Sequence, residues 1–418
     1  MMLEKKTLKE ITNKYSDAFF DDLDVLNIKR AKVYPKATEY VKDIENMIES
    51  LIKKGNAYEE KGSVYYRVSS FNNYGQLANL NFDDMIEGAG GFGPNERRGM
   101  SDKESNRDFA LWKAFTPNDG KVCWDSAFGK GRPGWHIECS AMCHKLLGPT
   151  IDIHAGGIDL VFPHHSNEIA QSEAFSGKKF SNYWIHNGFV NINNEKMSKS
   201  LQNFKTLRDI ATTPFDARAF RFMVITAQYR SPLNFTPETL KAAANSLKRI
   251  DKVVANLNRV IDNSDSQSDL IVDENVTEIV KKCIIMFEEA MCDDMNTPRA
   301  VASLFSLLNV AEKGVKSNSL NKTNSQYILQ AILDIDTVFG ILYDVPTKYF
   351  AANQPDGNME RVPLDINCVP KNIVELATER MQLKLSKKYI EADSIRNQLT
   401  SLGYDIKDSK DGYILYKI

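Results

Sequence analysis

Apolar positions along the chain recur with two different periods. Leu8, Ile11, Tyr15, Phe19 and Phe20 fall at helical spacing, and the first forty residues read as helical. A second helix is predicted from about Thr38 to Lys54. Tyr40, Val41, Ile44, Met47, Ile48 and Leu51 form its inner face, and Gly55 stands where a C-cap glycine is expected. Val64-Tyr65-Tyr66-Arg67-Val68 reads as a short strand. Residues 71–107 are rich in Asn, Asp and Gly, with a glycine-heavy loop from Gly88 to Gly93, before Phe109, Leu111 and Trp112 resume burial. The stretch up to about residue 130 therefore predicts a small α+β insertion.

The middle of the chain alternates strand and helix. Trp135 to Cys139 follows a Pro-Gly turn and leads into a helical pattern over Ser140–Leu147 that stops at Gly148. Ile151-Asp152-Ile153-His154 reads as a strand that empties into an Ala155-Gly156-Gly157 loop, where backbone can approach a ligand closely. Pro163 is placed to open a helix, and Tyr183 to Ile192 gives another strand. Beyond it, Thr206–Ala211 is a short helix and Phe215 to Arg221 opens a longer one. Long helical periodicity follows over 237–261, 275–315 and 324–343, with loops at Ile261–Asp273 and Lys316–Ser325. These segments predict an antiparallel helix bundle. A linker at 350–361 leads to helices near 370–386 and 388–402. A terminal hairpin turns at Asp411-Gly412, with Tyr413 to Tyr416 as its last strand.

Composition narrows the class. A chain of 418 residues suggests two to four domains. No run approaches the roughly eighteen apolar residues of a membrane span, and Met-Met-Leu-Glu-Lys-Lys at the start has no secretory apolar region. Six cysteines at irregular spacing form no disulfide framework, so reduced thiols and a cytoplasmic location are expected, with an organelle as the alternative. A net charge of −2 excludes a broadly basic nucleic-acid coat. A local basic face remains open to Lys241, Lys248, Arg249, Lys252 and Arg259, which otherwise form a solvated helix surface.

The candidate chemistry is concentrated. All six histidines (His136, His144, His154, His164, His165 and His186) lie between Gly131 and Phe204. Cys139, His164 and Glu168 offer a thiolate, an imidazole and a carboxylate, a donor set that suits Zn²⁺. His164 and Glu168 stand one helical turn apart and share a face. The same spacing also occurs in plain surface pairs, and His165, Cys143 and His144 are competing ligands. Lys196 and Lys199 in the Lys-Met-Ser-Lys-Ser stretch at 196–200 can neutralise charge on a phosphate chain. The plainer alternative is a solvated Lys/Ser loop.

Three motifs in order carry a resemblance: Gly-Trp-His-Ile-Glu-Cys-Ser-Ala-Met from Gly134, Phe-Pro-His-His-Ser-Asn-Glu-Ile-Ala-Gln from Phe162, and Lys-Met-Ser-Lys-Ser from Lys196. From about residue 10 onward the chain resembles the cysteinyl-tRNA synthetases, class I enzymes that activate cysteine with ATP and pass it to tRNA(Cys). The resemblance implies an α/β plus all-α protein. Residues 1–128 would hold the end of a first catalytic half and a connective insertion. Residues 129–205 would hold the second half of a Rossmann-like catalytic domain, 206–350 a stem-contact region and helix bundle, and 361–418 a small anticodon-binding module. It also implies that Cys139, His164 and Glu168 are three of four zinc ligands, the metal taking the substrate thiolate directly. Trp135 and His154 would line the cysteine pocket. Gly156, Gly157 and Asp159 would lie near the adenylate, and Lys196 and Lys199 would meet the phosphates of ATP, which is used with Mg²⁺.

The family's opening strand with Cys-Gly-Pro, which carries the fourth zinc ligand, and its His-Ile-Gly-His motif are not in this sequence. No Cys precedes Cys123 and no His precedes His136. On the resemblance, the first half of the nucleotide-binding fold is missing, through a mis-called start, a split gene or a decayed copy. The 418-residue chain alone is then expected to bind tRNA in a salt-sensitive way without activating cysteine. Two other functions are alternatives: a cysteine ligase acting on an amino-sugar acceptor, against which residues 361–418 count, and a non-catalytic tRNA-binding remnant.

Overall fold

Thr7 caps the first helix, α1 (Leu8–Val25), through a capping box with Glu10. The structure, a computed structural model, describes residues 6–80, 103–198, 203–263, 271–346, 364, 369–386, 388–409 and 412–417. The Gly88–Gly93 loop, Lys199, the 350–361 linker and Asp411 of the expected hairpin turn lie outside them. α1 does not continue through the first forty residues. Asn27 takes a left-handed conformation (φ 52°) just past its end, and the chain then runs irregularly to a turn at Ala37–Glu39. Nor is its aromatic stripe core. Tyr15 is 59% exposed, and Phe19 packs with Phe20 and Tyr34 in a surface cluster.

α2 (Val41–Lys53) buries Ile44, Met47, Ile48 and Leu51, and Gly55 follows it at φ 80°. Its apolar face lies on a four-stranded antiparallel sheet in the order β1 (Ala57–Glu60), β2 (Ser63–Tyr66), β3 (Phe109–Ala114) and β4 (Gly131–Pro133). The apolar pattern did not predict β1, because Tyr58-Glu59-Glu60 is a polar edge. Gly134 then makes the sharp entry into α3 (Trp135–Leu147). A Cβ there would stand 2.0 Å from the Ala110 carbonyl oxygen, so only glycine fits. The helix starts at Trp135, ahead of the expected Ser140, and so carries Trp135 and Cys139 on its first two turns.

β5 (Ile151–Gly157) and β6 (Ser181–Asn187) form a two-stranded parallel sheet joined by α4 (Ser166–Ser176). Two expectations are corrected here and one holds. The Ala155-Gly156-Gly157 segment is strand, because Gly156 and Gly157 continue the ladder opposite His186 and Asn187. Pro163 does open the helical run: Phe162 is the residue of Val161–His165 that leaves helical geometry, and Pro163–His165 then lead straight into α4 at Ser166. Tyr183–Ile192 is not one strand. β6 stops at Asn187, and Gly188 passes so close to Ser231 that a Cβ would meet its backbone at 2.6 Å. β7 (Val190–Ile192) belongs to a second sheet, antiparallel to β8 (Glu195–Lys196) and parallel to β9 (Leu233–Phe235). Parallel sheets are usually covered on both faces, yet Ile153 and Tyr183 of the β5–β6 sheet are 58% and 70% exposed.

The helical region follows with α5 (Leu207–Ile210), α6 (Pro214–Ile225), α7 (Pro237–Asn263), α8 (Glu274–Cys292), α9 (Thr297–Lys316) and α10 (Lys322–Phe339). Phe222, Leu247, Ile250, Leu307, Ile332 and Phe339 anchor its core. The periodicity over 275–315 is two helices, split where Asp294 and Met295 both take positive φ. α10 starts inside the stretch expected as loop, with Asn321 as its cap. Arg221 ties α1 to this core: its guanidinium donates to the Leu26 and Phe339 carbonyls at 2.7 and 2.8 Å.

The chain divides into two units, Met1–Tyr349 and Phe350–Ile418. The second has its own core of Ile373, Ala377, Leu399, Ile406 and Leu415. It is built from α11 (Lys371–Leu385), α12 (Tyr389–Ser401) and the hairpin β10 (Tyr404–Ser409) with β11 (Gly412–Lys417).

Candidate metal and substrate site

α3 and α4 meet against the four-stranded sheet, and that support fixes the site. The Tyr66 hydroxyl donates to the Ala170 carbonyl, and Lys54 Nζ donates to the Ala174 and Phe175 carbonyls at the end of α4. Ser140 of α3 donates to Gln171 of α4 at 2.7 Å. The first turn of α4 is thereby held against the first turns of α3.

At that junction Cys139, His164 and Glu168 converge, with one ligand atom from each lying within 4.8 Å of the others. His164 Nε2 stands 3.6 Å from Glu168 Oε1, so the four-residue spacing does put both on one face. A second group, His154, His165 and Glu168, also falls within 4.8 Å. Glu168 belongs to both. Its Oε2 lies 3.2 Å from His154 Nε2 and 4.0 Å from His165 Nε2. The carboxylate is fully buried, and neither oxygen has a hydrogen bond of acceptable geometry. A buried carboxylate without a well-formed hydrogen bond is costly, and a cation between these groups would satisfy it. The donor set therefore fits a zinc ion.

The surrounding residues orient these donors. His136 Nδ1 and His164 Nδ1 are 2.9 Å apart, so one donates to the other and the Nε2 of His164 is left facing Glu168. Burial pushes His136 and His165 down to about 3, with neighbouring histidines adding to the effect, so both imidazoles are neutral. Burial, and then the Glu168 carboxylate, pushes the Cys139 thiol up to about 12. A cation there would have to displace that proton.

The other candidates are placed as follows. Trp135 covers His164, ring centroids 4.3 Å apart, while remaining 53% exposed, so it can face both the cluster and solvent. His154 sits between Trp184 and Phe180, at 4.7 and 5.5 Å. A Cβ on Gly156 would meet the His165 ring at 2.7 Å, and one on Gly157 the Asp159 carboxylate at 2.5 Å. Close approach is therefore what both glycines provide. Lys196 lies on the exposed rim with its ammonium 3.9 Å from the centroid of the Phe189 ring. Cys143 and His144 join neither three-residue group. The Cys143 thiol is pushed up to about 11 by burial, and His144 packs edge-on against Phe175.

Trp184 was not singled out from the sequence as a site residue. It stacks parallel to His186 and lies 5.1 Å from His165, and His186 Nε2 is 2.8 Å from His165 Nδ1. The available signal was strand alternation, since positions 184 and 186 share one face of β6.

Comparison with known proteins gives a consistent picture. The model of a family described as tRNA synthetases class I (C) catalytic domain matches residues 2–245, and that of a DALR domain matches residues 286–343. The chain is similar to the cysteine–tRNA ligase of Methanococcus maripaludis, 41% identical over 99% of this chain and 83% of the relative. It is also similar to that of Caldicellulosiruptor saccharolyticus, 41% identical over 97% of this chain and 81% of the relative. A third such relative, from Brachyspira hyodysenteriae, is 39% identical over 97% and 81%. The matches do not support the amino-sugar ligase or the non-catalytic remnant. Among the described residues no helix is long and apolar enough to cross a membrane.

Proposed function

The chain belongs to the class I cysteine–tRNA ligases, and on that premise we propose that Cys139, His164 and Glu168 hold the zinc ion by which it selects cysteine. Such ligases use ATP with Mg²⁺ to form a cysteinyl adenylate, the amino-acid carboxylate displacing pyrophosphate, and then pass the aminoacyl group to tRNA. The observation that carries the zinc reading is Glu168: buried, with no hydrogen bond of acceptable geometry to either oxygen, and beside a thiol and an imidazole. When bound, zinc supplies a soft acceptor for the thiolate of the substrate and a poor one for the hydroxyl of serine. His154 braces Glu168 Oε2 and leaves Oε1 toward His164. Trp135 closes one side of the pocket over His164. Gly156 and Gly157 let the His165 ring and the Asp159 carboxylate pack close to β5 where the adenylate would lie. Lys196 and Lys199 carry the positive charge that meets the phosphates. The reaction requires positioning and electrostatics and no enzyme nucleophile. The domain boundaries follow the same reading: catalytic residues up to about 205, stem contact and bundle to 350, anticodon module from 361. A cytoplasmic location also fits it.

The test needs no turnover. In the Co²⁺-loaded 418-residue chain, adding L-cysteine should shift the visible spectrum, with a new thiolate-to-metal band. L-serine should leave it unchanged at concentrations roughly a thousandfold higher. Equal responses to both amino acids, or no response to cysteine, would refute the assignment.

A further inference from the structure

Lys196 does not hang free at the end of β8. Its ammonium rests on the face of Phe189, 3.9 Å from the ring centroid, well inside the range of a cation–π contact. Its backbone is held separately. Asn203 Nδ2 donates to the Lys196 carbonyl at 3.2 Å, and Asn203 Oδ1 accepts from the Ser198 N–H at 2.8 Å. One side-chain amide thus presents a donor and an acceptor to a peptide segment just where the β7–β8 ladder ends, as a neighbouring strand would. Phe189 is fixed in turn, because it stands between the tight Gly188 passage and β7, and its carbonyl accepts from the Leu233 N–H at 2.8 Å.

We propose that Phe189 and Asn203 are positioning residues for Lys196, the ring locating the ammonium and the amide locating the backbone that carries it. The inference rests on the reading of Lys196 as a phosphate-facing lysine. A ring face attracts the cation without neutralising it, unlike a carboxylate partner, so the full charge stays available to an anion approaching from the solvent side. Reduced freedom of the lysine side chain before ATP arrives would lower the entropy cost of the contact.

The experiment measures the acylation rate of the Lys196 ε-amine in the intact chain by mass spectrometry, with exposed Lys205 as internal reference and acetic anhydride as probe. Phe189→Leu keeps apolar bulk and removes the π face, and Asn203→Ala removes the clamp. Each should raise the Lys196 rate about two- to fivefold against Lys205. Phe189→Tyr should restore the wild-type rate with an unchanged melting temperature. Wild-type rates in both Phe189→Leu and Asn203→Ala would overturn the proposal, as would a faster rate in Phe189→Tyr. The readout reports lysine placement whether or not ATP binds. Failure of the phosphate role would show instead as Lys196 acylation that Mg²⁺–ATP leaves unchanged.

Discussion

Replacing Cys139 by Ala removes the only thiolate donor in the three-residue group. Structural zinc sites with four ligands bind with roughly 10–16 kcal/mol, or about 2.5–4 kcal/mol per ligand if shared evenly. At about 1.4 kcal/mol per factor of ten, losing Cys139 should weaken zinc by about two to three orders of magnitude. The structure sets the upper limit. His164 and Glu168 stay in place, because His136, the Ser140–Gln171 bond and the Tyr66 contact do not involve Cys139. Wild-type binding already includes the cost of removing a proton from a thiol held near 12, which the variant no longer incurs. The observed loss should therefore lie at the lower end, about a hundredfold. Competition with a chromophoric chelator at pH 7 measures it, and Cys143→Ala is the control, expected within threefold of wild type. Stoichiometric zinc retained in Cys139→Ala with near wild-type affinity would refute the assignment. Loss in Cys143→Ala instead would move the site toward Cys143 and His144.

Two further outcomes are expected. In a chain carrying the family's Cys-Gly-Pro and His-Ile-Gly-His segments, Lys199→Ala should slow cysteine-dependent ATP–pyrophosphate exchange about a hundredfold, or roughly 3 kcal/mol, with little change in tRNA affinity; wild-type exchange rates would exclude the role. In the C-terminal unit, hydrogen bonds from Arg380 and Lys384 hold the Asp408 carboxyl down at about 2. Its folded value lies below its unfolded one, so its contribution is present above about pH 4 and fades as pH falls toward 2. Asp408→Ala should cost that unit about 1–2 kcal/mol at pH 7, a buried-pair value reduced because the carboxylate is half exposed. Hydrogen exchange at Ile406 and Leu415 should show the loss at pH 7, and a difference that persists at pH 2 would contradict the account.

Parts of this fold could be read directly from residue order. The inner face of α2 was legible because Ile44, Ile48 and Leu51 repeat at helical spacing and end at a glycine that does take a positive φ. The Asp294–Met295 break was not, because two non-glycine residues adopt left-handed geometry there with no Gly or Pro to announce it. The end of β5 was misread for the opposite reason. Gly156 and Gly157 look like loop in a local window, yet the parallel partner β6 continues their ladder, and that pairing is tertiary information. The site shows the same division. The residue types and one grouping, Cys139 with His164 and Glu168, were legible because Cys, His and Glu crowd into one stretch, but the joining of His154 to Glu168 was not. Local spacing linked Glu168 to His164, with His165 as a competitor, while folding places β5 and its His154 at the other carboxylate oxygen. Glu168 is therefore a shared hub between two sets of donors, and its two oxygens cannot be treated alike. One faces the His164 imidazole of the group that suits a soft cation. The other is braced by His154 of β5, a strand that ends in the glycines beside the proposed adenylate position. His154 and His164 thus meet different oxygens of one carboxylate, and the proposed zinc ligand and the proposed cysteine-pocket histidine share that single side chain.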